Sequence, residues 1–473
     1  MARPKKFDVW SVISLVILAL YIIFLIYPLV TLLQASVFKD GVFTWAYFQK
    51  FFNNWYYGKT LVNSFIIAIS TTLISLAIGV PLAYFYNMYE IKGKTAIQII
   101  VVLCCMSAPF IGAYAWILLR GRAGIITKFL SALLHTTMPS IYGLRGILLV
   151  LSLQLFPLVF LYVSGALRNI DNSLLEASEN MGVTGVRRFF KVVIPLCMPT
   201  IMASGLLVFM RAFADFGTPL LIGEGYMTFP VIIYNEYFGE TGTDHNFAAA
   251  VAVIAIVVTA VIFLIQKYAS EKFQFHMNSL HPIETKKAHG WKNFLIHFYT
   301  YFVVGVAFMP QVYVMYCSFR KTSSKIFVPG YSLASYQKIV GDLGMAIKNT
   351  FWIGGLALVA IVFVAILIAY LVVRRKSALN DVIDTTSMLP YIIPGSVVGI
   401  ALVIAFNKPP LVLTGTVTIM VIALLIRRLP YTIRSSVAIL QQIPLTIEEA
   451  AISLGCTKLE AFFKVTVPMM KNR

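Results

Sequence analysis

The sequence predicts an all-α membrane protein with about ten transmembrane helices. Of its 473 residues, 59% are hydrophobic and only 12% are charged, whereas soluble domains are about a quarter charged. Ten segments have the roughly 20 mostly apolar residues that a spanning helix needs. Strands of alternating polarity, which would indicate an outer-membrane barrel, do not occur in the sequence. The predicted spans are 9–35, 61–86, 97–118, 147–166, 199–222, 247–266, 293–316, 350–373, 382–405 and 411–440.

The first predicted span follows a short basic stretch, "MARPKKFDVW". The apolar run is too long for a signal peptide and no small-residue cleavage site follows it, so it is interpreted as a retained helix. Most of the 38 Lys and Arg residues fall in connecting segments on the same side as the N-terminus. The positive-inside rule therefore predicts a cytoplasmic N-terminus. This distribution explains the net charge of +19 without nucleic acid, since no basic patch is interleaved with aromatic residues.

The sequence contains no motif that predicts catalysis or a resident metal. "GKT" occurs at 58–60 and 93–95, but the glycine that a phosphate-binding loop needs five positions earlier is replaced by Asn53 and Met88. The five cysteines include no CxxC pair, and the six histidines are scattered along the chain. We therefore expect neither a catalytic residue nor a metal site in this chain.

A polar segment occurs twice, which indicates an internal duplication. "EASENMGVTGVRRFFKVVIP" (176–195) and "EAAISLGCTKLEAFFKVTVP" (449–468) place Glu, Gly and Pro at the same spacings, 273 residues apart. Further upstream the offset drifts to about 286, as loop insertions in a duplicated domain would cause. The predicted domains are 1–266 and 293–473, joined by a Lys-rich cytoplasmic linker, 267–292.

The two halves are expected to be parallel repeats, because each begins on the same side of the membrane. The first half has two spans after its polar segment, whereas the sequence stops five residues after Pro468. Symmetry therefore predicts twelve spans in a complete pair of repeats. Each polar segment is predicted to form two short helices that break at a glycine, Gly182 or Gly455, with Pro195 starting the next span. A single copy would suit an ordinary solvated connection, but two copies with equal spacing favour a surface that binds a partner.

The duplicated pattern resembles EAA-x3-G-x9-I-x-L-P, the signature of permease subunits of bacterial ABC importers. The first copy departs from it at Ser178, and both copies carry Val or Ile at its last apolar positions. Double-length chains with two such motifs resemble the ferric-iron permease group, and "RAFADFGTPLLIG" (211–223) is similar to a segment common there. The resemblance covers almost the whole chain and implies a type I ABC importer-like fold.

The resemblance also implies the partners and the coupling residues. Two copies of a cytoplasmic ATPase would bind the two motifs and carry the ATP and Mg, so no cofactor is expected in this chain. An extracytoplasmic binding protein would deliver the substrate to the bacterial inner membrane. The expected coupling residues are Glu176, Ala177, Gly182, Pro195, Glu449, Ala450, Ala451, Gly455 and Pro468.

Ferric iron is the expected substrate, and the alternatives within the class are thiamine, phosphonate, sugar-phosphate and polyamine. A secondary transporter driven by an ion gradient is the alternative from another class. That alternative predicts carboxylates along the spans, where Asp215 is nearly alone.

Charged residues inside spans are expensive and are therefore candidates for a translocation pathway. Arg211 and Asp215 are four residues apart, so they would share a helix face and could pair with each other. Arg427 and Arg428 lie in the last predicted span, where Gln154 is the repeat equivalent of Arg427. For Arg428, a structural arginine that snorkels to the inner face is the competing interpretation.

Overall fold

The computed structural model describes residues 8–107, 109–239, 244–272, 285–323 and 326–471. The basic N-terminus and the centre of the predicted linker lie outside these residues. The described chain is almost entirely helical, which confirms the predicted fold class. Two short antiparallel hairpins, β1–β2 (Phe38–Lys39, Val42–Phe43) and β3–β4 (Arg320–Ser323, Ile326–Tyr331), are its strands.

The helices up to the linker are α1 (Val9–Tyr21), α2 (Tyr27–Val37), α3 (Ala46–Asn53), α4 (Trp55–Met88), α5 (Lys94–Met106), α6 (Pro109–Arg120), α7 (Ile125–Leu134), α8 (Leu144–Arg168), α9 (Asn172–Asn180), α10 (Gly185–Arg188), α11 (Ile194–Phe213), α12 (Gly217–Ile222), α13 (Phe229–Phe238) and α14 (His245–Lys272). Those after it are α15 (Gly290–Ser318), α16 (Ala334–Arg374), α17 (Ala378–Ile392), α18 (Gly395–Phe406), α19 (Val417–Gln441), α20 (Leu445–Ser453), α21 (Lys458–Ala461) and α22 (Val467–Lys471). Three π-helical turns occur at Ile22–Ile26, Phe189–Val193 and Phe462–Thr466.

Among the described residues, seven helices are long and apolar enough to cross a membrane, and they match seven of the ten predicted spans. The span predicted at 199–222 begins earlier, inside the polar segment, and ends at Phe213. The seven are Val9–Val37, Trp55–Met88, Leu144–Arg168, Gly185–Phe213, His245–Ile265, Gly290–Ser318 and Ala334–Arg374.

Two predicted spans, 97–118 and 382–405, are each a bent pair of helices. The first bends by 102° between α5 and α6, and the second by 111° between α17 and α18. A proline lies at each break, Pro109 in the first and Pro394 in the second. Proline disfavours helical geometry in the residue before it, and Ile393, before Pro394, has the extended backbone that this predicts. If each bent pair counts as one span, the described spans number nine.

The described chain contains two compact units. Each unit combines helices from both halves of the sequence. These units are defined by spatial packing, so the domain boundaries predicted at 266 and 292 from the sequence repeat stay a prediction. One unit comprises Met1–Lys50, Glu236–Ala260 and Val340–Arg473; the other comprises Phe51–Asn235 and Val261–Ile339.

In the unit that contains both chain ends, α17 packs on α1 and α19, and α18 packs on α2. Asp8 starts α1 as its N-cap, and its side chain accepts a hydrogen bond from the Val9 N–H at 2.8 Å. The core near this end is an aromatic cluster of Trp10, Tyr370 and Phe462, whose ring centroids are 4.5–5.3 Å apart. This cluster joins α1, α16 and the last π-helical turn.

In the other unit, α4, α8 and α11 pack together, and α15 packs on α4, α5 and α6. Helices α4 and α8 lie close together at Gly79, where an added Cβ would lie 2.7 Å from the Cβ of Val159. Such a contact is possible only with glycine, which lets the two backbones come together as in other membrane helix pairs.

The repeat found in the sequence is also present in the fold. We call 172–193 the first polar segment and 445–466 the second polar segment; each contains two short helices and a π-helical turn. All of these elements begin and end 273 residues after their counterparts, as do α8 and α19, which precede them. The two segments therefore have the same local structure.

Candidate functional site

The first polar segment turns at Gly182 through a Schellman motif. The Val183 N–H donates to the Ser178 carbonyl at 2.8 Å, and the Gly182 N–H donates to the Glu179 carbonyl at 2.9 Å. Gly182 has φ = +74°, a left-handed conformation that glycine adopts without steric cost. The predicted break at this glycine is therefore present.

The second polar segment makes the same turn at Gly455. Its Cys456 N–H donates to the Ala451 carbonyl at 3.1 Å, the Gly455 N–H donates to the Ile452 carbonyl at 3.0 Å, and φ of Gly455 is +99°. The motif places its glycine four residues after its third residue, and these are the C′ and C3 positions of a Schellman motif. Part of the motif encodes a helix end.

Each polar segment ends in a π-helical turn that lies just before a proline. The Ile194 N–H donates to the Phe189 carbonyl, five residues back, and Val467 makes the equivalent bond in the second copy. Proline has no N–H to donate and its ring crowds the preceding turn, and a widened turn relieves both effects. The expectation that Pro195 starts the next span is wrong, since the helix runs through it from Gly185 to Phe213.

Two salt bridges to Glu179 stabilise the first polar segment, and backbone hydrogen bonds hold one of the two cations, Lys286, against the end of α4. Arg188, which is 7% exposed, places Nη1 3.2 Å from Oε2 of Glu179. Nζ of Lys286, at the end of the predicted linker, lies 2.5 Å from the same oxygen. These cations, Lys286 foremost, hold the pKa of the Glu179 carboxyl below its usual value. The Lys286 N–H also donates to the Met88 carbonyl at 2.9 Å, and its carbonyl accepts from the Glu90 N–H at 3.2 Å.

A different buried group braces the second polar segment. Glu448, 6% exposed, accepts a hydrogen bond from the Tyr370 hydroxyl, and its Oε2 lies 3.9 Å from Nε of Arg374. Arg374 also donates to the Ile443 carbonyl just before α20. The position equivalent to Glu448 in the first copy is Leu175. Sequence reasoning missed this brace, because its members are too far apart in the chain for any pattern in one sequence to connect them.

The second segment has a further acidic cap that the first lacks. Glu460 and Thr457 form a capping box, with the Thr457 N–H donating to Oε2 of Glu460 at 3.0 Å. This hydrogen bond, with Lys464 beside it, lowers the pKa of the Glu460 carboxyl to about 2. The equivalent position in the first copy is occupied by Arg187, and Thr184 there makes no side-chain cap.

The surfaces of the two segments expose apolar side chains at matching positions. Met181 is 75% exposed and its counterpart Leu454 is 88% exposed. Phe190 and its counterpart Phe463 are 61% and 50% exposed. Apolar residues this exposed beside charged helices are typical of protein–protein contact sites.

The predicted coupling residues are spread over these surfaces and turns. The motif glutamates are exposed, and Glu176 accepts a hydrogen bond from Nδ2 of Asn172 at 2.7 Å. The structure places Glu176, Ala177, Glu449, Ala450, Pro195 and Pro468 at the surface, Ala451 at a half-buried position, and Gly182 and Gly455 in the turns.

The predicted pairing of Arg211 with Asp215 is wrong. Helix α11 ends at Phe213, so the two residues do not share a helix face. The Asp215 carboxylate accepts a hydrogen bond from the Thr218 N–H at 3.4 Å instead. In the described part of the chain, no ion pair joins Arg211 and Asp215.

The repeat-equivalent residues Gln154 and Arg427 both lie at a bent helix pair, each within its own unit. Nε2 of Gln154 donates to the Ser107 carbonyl at the α5–α6 break, at 3.4 Å. The guanidinium of Arg427 lies against Gly395, the first residue of α18, where an added Cβ would be 2.6 Å from Nη1. The sequence analysis did not predict that both residues lie at a bend, because it did not predict the two bends.

Helix α19 is not among the helices apolar enough to count as spans, although it has the length of one. It contains 25 residues, as does its counterpart α8, but it carries Arg427, Arg428 and Arg434. At 1.5 Å per residue, Arg428 lies about 16 Å from the start of the helix and about 20 Å from its end. Arg428 therefore lies near the middle of α19, and the choice between a pathway role and the snorkelling interpretation stays a prediction.

In the described residues, no group of three or more His, Cys, Asp or Glu side chains is arranged to hold a metal ion.

Proteins with similar sequences are permeases of transport systems. The chain is 27% identical to a Haemophilus influenzae protein named as a ferric transport system permease, FbpB 1, over 99% of this chain and 75% of the relative. It is 26% identical to the ferric transport system permease protein FbpB of Actinobacillus pleuropneumoniae, over 100% of this chain and 69% of the relative. A Salmonella typhi protein named as a 2-aminoethylphosphonate transport system permease, PhnU, is 28% identical over 45% of this chain and 74% of the relative.

The family model described as a binding-protein-dependent transport system inner membrane component matches residues 62–274 and 361–472. These two matches contain the first and the second polar segment respectively. The apolar helices and the two matches agree on a multi-pass inner-membrane protein that is not itself an enzyme. The chain belongs to the family of inner-membrane permease components of ABC importers.

Proposed function

We propose that this chain is the membrane subunit of an importer that a partner ATPase drives, and that its cargo is ferric iron. The observation that supports the proposal best is the recurrence of the polar segment. Both copies have the same Schellman turn and expose an apolar side chain, Met181 or Leu454, immediately before the turning glycine. Because the two polar segments expose similar surfaces, each could bind one copy of the same ATPase.

Each polar segment is proposed to dock on one ATPase copy. An exposed apolar residue that is surrounded by charged side chains can enter a pocket of a partner and contribute most of the binding energy. The chain has no phosphate-binding loop of its own, so ATP and Mg are assigned to the ATPase. This assignment also puts the polar segments and the N-terminus in the cytoplasm.

The braces would carry movement from the ATPase to the long helices. Glu448 links α20 to Tyr370 and Arg374 of α16. In the first copy, Phe189 packs against Tyr84 of α4, with ring centroids 4.8 Å apart. When the ATPase copies close, a displacement of either segment would therefore pull directly on a membrane-spanning helix. This is the proposed basis of alternating access.

The cargo proposal rests on the relatives that match nearly the whole chain, whose names refer to ferric transport. An extracytoplasmic binding protein would deliver the iron. The permease named for 2-aminoethylphosphonate matches less than half of the chain, so phosphonate is the second candidate cargo.

Docking can be tested by substitutions at the exposed apolar positions. We expect Met181→Asp combined with Leu454→Asp to abolish co-purification of the ATPase, because a carboxylate cannot enter an apolar pocket. The conservative pair Met181→Leu and Leu454→Met is the matched control and should retain the ATPase. Full retention of the ATPase by the aspartate pair would contradict the docking proposal.

The cargo can be tested on the cognate binding protein by the shift of its melting temperature with ligand. We expect Fe³⁺ to raise the melting temperature, since a ligand that binds the folded state stabilises it. Thiamine, 2-aminoethylphosphonate, a sugar phosphate and a polyamine are the comparison ligands. A shift with one of these and none with Fe³⁺ would overturn the iron assignment.

A further inference from the structure

Each polar segment packs on a long helix through the same aromatic contact. The ring centroid of Phe189 lies 4.8 Å from that of Tyr84 on α4, and the ring centroid of Phe462 lies 4.8 Å from that of Tyr370 on α16. The interplanar angles, 59° and 65°, are also similar. We call the pair Tyr84–Phe189 the first aromatic contact and the pair Tyr370–Phe462 the second aromatic contact. The duplication therefore includes the contact between each polar segment and its long helix.

Buried polar groups reinforce the second aromatic contact. The Tyr370 hydroxyl donates a hydrogen bond to Oε1 of Glu448 in α20. Arg374, one turn further along α16, has its Nε 3.9 Å from Oε2 of Glu448, and its Nη2 donates to the Ile443 carbonyl at 2.5 Å. Both the acid and the arginine are almost completely buried. Helix α16 is thus joined to the second polar segment by directional polar contacts as well as by packing.

The first copy has apolar residues at the positions of this acid and this arginine. One turn after Tyr84, α4 carries Met88 where α16 carries Arg374. Glu448 is replaced by Leu175, which is buried and has no oxygen that could accept a hydrogen bond from the Tyr84 hydroxyl. The aromatic contact is therefore built once with an ion pair beside it and once with apolar residues at the same positions.

The ion pairs of the first polar segment lie elsewhere. Arg188 pairs with Glu179 of the same segment, and Lys286 of the linker binds the same carboxylate. The side chains of Glu179 and Lys286 are 45% and 52% exposed, so water weakens this pair. Lys286 in turn contacts α4 only at the last residue of that helix, through its backbone. This polar connection of the first segment to α4 is thus exposed and runs through the linker.

Buried polar contacts and apolar contacts resist displacement differently. A hydrogen bond weakens steeply when its distance or angle changes, whereas the burial of apolar surface is non-directional. A buried charge that loses its partner is strongly destabilised. A shift of α20 along α16 would therefore separate Glu448 from Tyr370 at a large cost, whereas Phe189 could shift on Tyr84 at a smaller one.

We infer that Glu448 is a positioning residue that fixes the second polar segment to α16, and that the two halves of the permease respond unequally to the ATPase. The second segment and α16 move together, whereas the first segment can shift against α4. The inference goes beyond the proposed function, in which both segments act alike, and it rests on that function for the ATPase.

The rigidity of the two contacts can be compared by hydrogen exchange of the purified permease in lipid nanodiscs. We expect Tyr370→Phe to accelerate exchange of 445–453 about tenfold, because a hydrogen bond to a charged group is lost. Tyr84→Phe removes the equivalent hydroxyl and should change exchange of 172–180 by less than about twofold, because Leu175 accepts no bond from it. Glu448→Gln should act more weakly than Glu448→Leu, since an amide oxygen can still accept from Tyr370.

The unequal response can be measured in proteoliposomes that contain the permease, its ATPase and the cognate binding protein. The measured quantity is the factor by which the loaded binding protein stimulates ATP hydrolysis. We expect Glu448→Leu and Tyr370→Phe to reduce this factor about tenfold, and Glu448→Gln to retain more of it. Tyr336→Phe is the matched control, because it removes a hydroxyl near the start of α16 that is hydrogen-bonded to Ser318.

Two results would overturn the inference. Faster exchange of 445–453 with an unchanged stimulation factor would leave Glu448 a structural role alone. Equal effects of Tyr84→Phe and Tyr370→Phe would show that the two contacts are equivalent. Hydrogen exchange needs no ATPase, and docking is tested separately by co-purification with the Met181 and Leu454 variants, so a failure of the inference differs from a failure of the proposed function.

Discussion

Gly182 and Gly455 hold a backbone conformation that other residues adopt only with strain. We expect Gly182→Ala or Gly455→Ala to destabilise its polar segment by roughly 1–2 kcal/mol, the cost of a left-handed residue with a side chain. No atom lies within 4 Å of the added Cβ at either position, so steric overlap adds nothing to this cost. Thermal unfolding and ATPase co-purification would measure the effect.

Gly165 in α8 provides the control for these variants. Its added Cβ also meets no atom within 4 Å, but its backbone is helical. Gly165→Ala should therefore leave stability unchanged or raise it slightly. If all three alanine variants behaved alike, the strain argument would be wrong.

Glu460 gives the capping box of the second polar segment a dependence on pH. The carboxyl has a pKa of about 2 in the folded chain, below its usual value of 4.5. A depressed pKa stabilises the fold above the unfolded value, and that stabilisation is lost as the pH falls from about 4.5 towards 2. Hydrogen exchange of 457–461, corrected for intrinsic rates, should therefore accelerate over this range.

The first copy provides the comparison within the same molecule. Residues 184–188 have Arg187 in place of Glu460 and should show no such acceleration from this cause. Glu460→Gln should remove the acceleration from 457–461. Acceleration of 457–461 that persists in Glu460→Gln would contradict the assignment to the capping box.

At the scale of elements, the two polar segments have the same shape but different braces. Among the described residues of the linker, Lys286 contacts Glu179 of the first segment. We expect Glu179→Gln to accelerate hydrogen exchange of 285–289 about two- to fivefold, the modest effect of an exposed ion pair. Glu90→Gln, whose contact with Lys287 is longer at 4.0 Å, is the control and should change exchange little.

A second substitution tests whether the ion pair itself is responsible. Lys286→Gln should accelerate exchange of 285–289 as Glu179→Gln does, and the double variant should be no faster than either single one, because both remove the same contact. Additive acceleration in the double variant would assign the effect to other contacts of the two side chains.

Some elements were readable in the sequence because their causes are local. The break at Gly182 follows from the conformational freedom of glycine, and the 273-residue offset predicted a second copy with the same helix ends. The bends at 107–109 and 392–395 were missed, although each has a proline, because apolar runs on both sides hid the break. The contact between Glu448 and Tyr370 could not be read, since 78 residues separate them.

At the scale of the whole molecule, the proposed orientation assigns a side of the membrane to each connection. Arg122 would face outward and Lys287 would face the cytoplasm, and both side chains are 73% exposed. In a variant without the five native cysteines, we expect an impermeant maleimide to label R122C in intact cells. The matched variant K287C should be labelled only after the membrane is opened, and the reverse pattern would invert the proposed topology.

The π-helical turns have a consequence for the rotation of whole helices. Each adds one residue to a helix without ending it, which turns everything beyond it by about 100° around the axis. The turn at Phe189–Val193 therefore decides which way the far end of the following span points, Arg211 included. Removing one residue from this turn would leave a regular α-helix in which every later side chain is rotated by about 100° around the helix axis. The turns at Phe189–Val193 and Phe462–Thr466 therefore set the angle, about the helix axis, between each polar segment and the helix that follows it.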